Sequence, residues 1–87
     1  MDETDFAVLV RESLVKALEL DAGTAGPDAA TPLLDIPNMT SLGMMRTLAL
    51  IEMRLDIELD DDELVTVRTV GELTEAVRAR HAGEWSS

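Results

Sequence analysis

From Thr4 onward, Phe6, Leu9, Val10, Leu14, Ala17 and Leu18 recur three and four residues apart, a spacing that gathers one apolar stripe along a helix. This first helix is expected to be capped by Thr4 or Asp5 and to end near Leu20. Two glycines and a proline in Asp21-Ala22-Gly23-Thr24-Ala25-Gly26-Pro27-Asp28 then mark a long loop, which Pro32 and Pro37 extend. Leu33, Leu34 and Ile36 are expected to pin that loop to the core. The helical period returns from Leu42 to Leu55, with Leu48, Ile51 and Leu55 forming an inward row and Arg46, Glu52 and Arg54 largely elsewhere. Met44, Met45, Ala49 and Met53 are too many for one narrow buried face, so part of this helix should present apolar surface to solvent.

Asp56-Ile57-Glu58-Leu59 alternates as a strand would, but four residues with no pairing segment elsewhere cannot make a sheet, and the segment reads as an extended connector. Asp60 with Glu63, and Thr69 with Glu72, have the spacing of a capping box. The first should open a short helix around Asp61 to Thr66, the second a closing helix bearing Val70, Leu73, Ala76 and Val77. The chain therefore reads as all-α: a small bundle of three longer helices and one short one, with a long loop between the first two. Residues 1–81 form one domain and residues 82–87 a loose tail.

Composition narrows the chemistry. Eighty-seven residues support one small core, and with only Phe6 and Trp85 as aromatics that core must be aliphatic and methionine-filled. The net charge of −11 would repel nucleic acid or an anionic membrane surface and favours basic patches on protein partners. The absence of cysteine excludes disulfides, thiolate metal sites and thiol catalysis. The acidic start and the lack of a long apolar run point to a cytoplasmic protein, read here as a monomer.

Ser41 stands where the polar loop gives way to the second helical pattern, Leu33-Leu34-Asp35-Ile36-Pro37-Asn38-Met39-Thr40-Ser41-Leu42. A helix N-terminus turns unpaired N–H groups and the positive end of its dipole toward the hydroxyl, which suits a phosphate bonded there. Taken alone, a serine at that place is a helix cap. It has no catalytic partner: the lone histidine, His81, lies at the end of the last helix, where a cation suits the dipole. The acidic run Asp60-Asp61-Asp62-Glu63 does not make a calcium loop either. Read from Asp56, it puts Asp61 where the turn glycine belongs and Val67 where the closing carboxylate belongs.

The order of elements, together with Leu33-Leu34-Asp35, Ser41-Leu42, Leu50-Ile51-Glu52, Asp56-Ile57-Glu58-Leu59 and Thr69-Val70, resembles the acyl and peptidyl carrier protein family over roughly Phe6 to Arg80. The resemblance implies that Ser41 is the attachment point of 4′-phosphopantetheine, transferred from coenzyme A by a phosphopantetheinyl transferase that supplies Mg²⁺ and the base. It implies no catalytic residue and no metal site in the chain itself. It further implies a docking face made of Thr40, Leu42, Met44, Met45, Arg46, Ala49 and Glu52 for the enzymes that load and use the carrier. Three positions depart from the family pattern: Thr40 replaces the usual Asp, Gly43 stands where an acid is frequent, and Arg46 replaces a commonly acidic contact. The free-standing length and this second helix suggest polyketide or nonribosomal peptide assembly. The competing readings are a non-covalent helical interaction module with a carrier-like fold and, more remotely, a stand-alone enzyme.

Overall fold

The computed structural model describes residues 2–21 and 27–83, with backbone alone at Glu3, Asp61 and Glu63. Part of the expected long loop, Trp85 and most of the expected tail lie outside the described residues. Three long helices, α1 (Glu3–Ala17), α2 (Ser41–Leu55) and α4 (Val70–His81), are joined by irregular segments that contain a 3₁₀ turn (Leu33–Asp35) and the single-turn α3 (Asp61–Leu64). α1 packs against both α2 and α4. Among the described residues the extended pairing is limited to one isolated bridge between Pro32 and Thr69, so the all-α expectation holds and residues 57–60 form a connector.

α1 begins earlier than its periodicity suggests. Asp2, rather than Thr4 or Asp5, is the cap: its carboxylate accepts from Asp5 N–H at 3.1 Å, and Asp5 returns the bond to Asp2 N–H at 3.3 Å. The helix also stops sooner than Leu20. Glu19 turns left-handed at φ 53°, Glu19 N–H donates to Lys16 C=O, and Leu20 N–H donates to Val15 C=O at 2.9 Å. This is a Schellman closure built without glycine, and it folds half-buried Leu20 back onto the core. Asn38 adds a tie from the far end of the loop, its amide nitrogen donating to Leu18 C=O at 2.9 Å.

The core runs through Phe6, Val10, Leu14 and Leu18 of α1, Leu48 and Ile51 of α2, and Val70, Leu73 and Val77 of α4, with Leu33, Ile36 and Leu59 supplied by the connections. Leu33 and Ile36 anchor the loop as expected. Leu34 does not: it is 89% exposed, because the tight 3₁₀ turn sends adjacent side chains to different sides. Thr47, Ser13 and Thr74 are buried hydroxyls, and each donates to the carbonyl four residues earlier in its own helix, so none is left unsatisfied. At one end of the bundle Phe6 and His81 meet edge to face at 5.2 Å, a structural setting for the lone histidine.

The loop also completes α4. Val70 N–H donates to Thr31 C=O, Gly71 N–H to Ala29 C=O, and Glu72 N–H to the Thr69 hydroxyl, at 3.1, 2.9 and 3.1 Å, while Leu73 N–H reaches Thr69 C=O. The three first-turn amides of α4, which a helix start leaves without an intrahelical acceptor, are therefore satisfied, and Leu73 begins the intrahelical ladder. α3 is shorter than expected and stops at Leu64, with Val65 and Thr66 in a turn. Asp60 caps it by accepting from Asp62 N–H at 2.9 Å; the Glu63 half of the expected capping box lies outside the described side chains.

Candidate functional site at the start of α2

The start of α2 is built differently. Thr40, in extended conformation, is the cap, and its hydroxyl accepts from Gly43 N–H at 2.9 Å while its carbonyl accepts from Met44 N–H at 2.9 Å. Thr40 thus takes the capping role and frees Ser41, the first helical residue, to sit exposed at the tip. The amides of Ser41 and Leu42 have no acceptor among the described residues, in contrast to the closed start of α4. Two outward N–H groups, the dipole's positive end and an exposed hydroxyl meet at one place. This is a setting in which a phosphate ester on Ser41 gains about 0.3–1 kcal/mol from the dipole.

Gly43 explains one of the three departures in packing terms. The residue is buried, and a Cβ there would run into the Leu18 side chain and lie 3.3 Å from the Thr40 hydroxyl. The first turn of α2 rests on the C-terminal end of α1, so an acid at position 43 would face Leu18 instead of a partner.

Beside Ser41 lies a groove of about 770 Å³. Met39, Thr40, Ser41, Met44, Met45 and Leu48 form its α2 side, Leu64, Val65, Val67 and Arg68 line it from the region of α3, and Pro32, Leu33, Leu34 and Leu73 complete it. The exposure of Leu34 now has a context, since it belongs to this groove. Little in the sequence signals it, because the walls come from four separate segments.

The remaining expected site residues divide by face. Leu42 at 55%, Met45 at 62% and Met53 at 78% exposure give α2 an apolar outer surface, with Ala49 and Arg46 also exposed. Arg46 has no ionic partner among the described residues, whereas Arg54 pairs with Glu12 of α1 at 3.4 Å. Met44 is half-buried and packs on the core. Glu52 is also half-buried, and one carboxylate oxygen accepts from Leu59 N–H at 2.9 Å. It clamps the connector that leads to α3. Glu52→Ala should cost about 1.5–3 kcal/mol, because it strands a partly buried amide that a charged acceptor satisfied. Glu52→Gln keeps an acceptor oxygen and should lose less than half as much. Urea denaturation of both variants checks this, and an unchanged midpoint for the alanine form would contradict it.

Among the described residues no cluster of histidine, cysteine or carboxylate could hold a metal ion, and no helix is long and apolar enough to cross a membrane. The site offers an exposed nucleophilic oxygen and an apolar trough, with His81 held edge to face against Phe6 at the C-terminal end of α4.

Comparison with known proteins gives this geometry a family. Residues 8–77 match the family described as PP-binding, phosphopantetheine attachment site. The acyl carrier proteins MbtL of Mycobacterium bovis and Mycobacterium tuberculosis are each 36% identical to the chain over 67 residues, covering 77% of both partners in the alignment. The holo acyl carrier protein of Geobacter metallireducens, solved by NMR, superposes with a TM-score of 0.76 over 91% of this chain and 88% of that one, at 20% identity, and so shares the fold. The match extends from the middle of α1 into α4, ending before its last turn, and includes the start of α2 and the groove beside it. The chain belongs to the acyl carrier protein family and carries that family's covalently attached 4′-phosphopantetheine.

Proposed function

We propose that Ser41 is the residue that bears the phosphopantetheine arm, and that the chain carries acyl or aminoacyl groups on it as thioesters between the enzymes of a specialised polyketide or nonribosomal peptide pathway. The observation that carries this reading is the division of labour at the start of α2, where Thr40 caps the helix and leaves Ser41 exposed beside two amides that are unpaired among the described residues. In the modification step the Ser41 hydroxyl loses its proton to a base of the transferase, and its oxygen bonds to the coenzyme A phosphorus that carries the pantetheine. The phosphoanhydride bond to adenosine 3′,5′-bisphosphate breaks, and that nucleotide leaves. The Ser41 and Leu42 amides face the resulting phosphodiester, and the groove takes up apolar parts of the arm or its cargo. The arm supplies the thiol that this cysteine-free chain lacks.

The enzymes that install the arm, load it and take the cargo are the partners, and they perform the chemistry. The exposed apolar face of α2 with Arg46 is where they dock. Arg46→Glu should slow transfer by a cognate partner about tenfold and raise KM more than it lowers kcat, since an exposed interfacial charge acts chiefly on encounter. Steady-state kinetics with the native partner at two salt concentrations checks this, and unchanged kinetics would remove Arg46 from recognition.

Incubation of the purified chain with coenzyme A, Mg²⁺ and a broad-specificity phosphopantetheinyl transferase, followed by intact mass, tests the carrier reading. A gain of one phosphopantetheinyl group is expected. Failure with several transferases would instead favour a non-covalent interaction module.

A further inference from the structure

Among the described residues, the groove beside Ser41 is lined by one charged residue, Arg68. Its backbone is held firmly: the Arg68 carbonyl accepts from Leu33 N–H at 2.8 Å, and the next residue, Thr69, both bridges to Pro32 and caps α4. Its side chain is exposed and has no hydrogen-bond or ionic partner among the described residues. The arginines that follow it in α4 are engaged, Arg78 with Glu75 and Arg80 with the Glu58 carbonyl. A guanidinium that lines an apolar trough without an ionic partner among the described residues stands out in a chain of net charge −11, where carboxylates outnumber cations by 18 to 7.

We infer that Arg68 is a specificity-determining residue for cargo, and that the groove favours acyl groups which are apolar along the chain and bear a carboxylate away from the thioester. This rests on the carrier reading. The arm's own phosphodiester is the other anion available. It sits on Ser41 at the tip of α2, beside two amides that have no acceptor among the described residues, whereas Arg68 lines the groove from a separate segment, between α3 and α4. A guanidinium there offers a two-pronged contact to a planar carboxylate, with the acyl chain lying over Leu48 and Leu64.

The test loads the full chain enzymatically with plain coenzyme A, octanoyl-coenzyme A or octanedioyl-coenzyme A, and follows the Arg68 Nε–H resonance together with thioester half-life. The Arg68 resonance should move with the octanedioyl cargo and stay in place with the other two. The octanedioyl thioester should outlive the octanoyl thioester about two- to fivefold, the range expected for a partly exposed ion pair. Arg68→Gln should remove that difference without changing loading. Equal half-lives with a stationary resonance would overturn the inference. A resonance that already moves with the unacylated arm would assign Arg68 to the phosphodiester and overturn the cargo assignment. Absence of loading would overturn the carrier reading and this inference with it, whereas normal loading with an unresponsive Arg68 would overturn this inference alone.

Discussion

Ser41→Ala will take up no phosphopantetheine and carry no cargo, while its thermal unfolding stays within about 0.5 kcal/mol of the parent, as expected for an exposed residue outside the core and the caps. The neighbouring substitution separates the two roles at the start of α2. Thr40→Ala removes the hydroxyl that accepts from Gly43 N–H, so it should lose about 1 kcal/mol of stability and still accept the arm. Intact mass and circular dichroism melting on the two variants read both quantities. A Ser41→Ala chain that still gains the group would place the attachment elsewhere, and a Thr40→Ala chain that melts like the parent would contradict the capping geometry.

The largest effect on stability is expected at Leu14. It is fully buried in α1, the helix that packs on both α2 and α4, so truncation opens a cavity against two neighbours at once. Leu14→Ala should cost about 2–5 kcal/mol, a large part of the stability of a domain this size. At about 4–8 °C per kcal/mol for a domain of 60–100 residues, the melting midpoint falls by about 8 °C or more. Met53→Ala, on the exposed face of α2, is the matched control and should change stability by no more than about 0.5 kcal/mol. A fall of under about 2 °C for Leu14→Ala would mean that α1 is not the element that joins the other two.

The contrast between Leu14 and Met53 was legible in the spacing of apolar residues, as were the three long helices. Period alone separates an inward row from an outward one; that Met44, Met45, Ala49 and Met53 cannot all be buried follows from their number, while which of them packs inward, Met44, does not. Thr69 as the cap of α4 is equally legible from its local spacing to Glu72, although the Glu72 carboxylate accepts from the Thr69 hydroxyl and not from its backbone N–H. The ends of α1 were not. Asp2 caps two or three residues before the expected Thr4 or Asp5, and Glu19 closes the helix in a left-handed conformation that sequence reading expects of glycine. Leu34 was misplaced because a 3₁₀ turn cannot be told from other loop by composition.

What the sequence hid in the candidate site is everything that depends on distant segments meeting. The closure of the α4 start by the Ala29 and Thr31 carbonyls, the crowding of Gly43 by Leu18 and the groove with Arg68 each join residues far apart in the chain, and the engagement of Glu52 by Leu59 joins a helix end to the connector seven residues on. Ser41 itself was singled out by its place before a periodic segment and by the resemblance of the whole chain. The allocation of the cap to Thr40 and of the exposed tip to Ser41 is set by backbone conformation, extended at Thr40 and helical from Ser41, which neighbouring hydroxyl residues do not reveal by their order. That allocation also bears on the departure at position 40, since threonine caps the helix there without adding a negative charge beside a phosphodiester.

The account rests on a single covalent attachment, and fragmentation mass spectrometry of the chain purified from its native host tests it most directly. The tryptic peptide spanning residues 17–46 should carry one phosphopantetheinyl group, localised by fragment ions to Ser41, with a thioester-bound acyl or aminoacyl group on part of the population. An unmodified peptide from protein that is active in its pathway, or a group localised to any other residue, would contradict it.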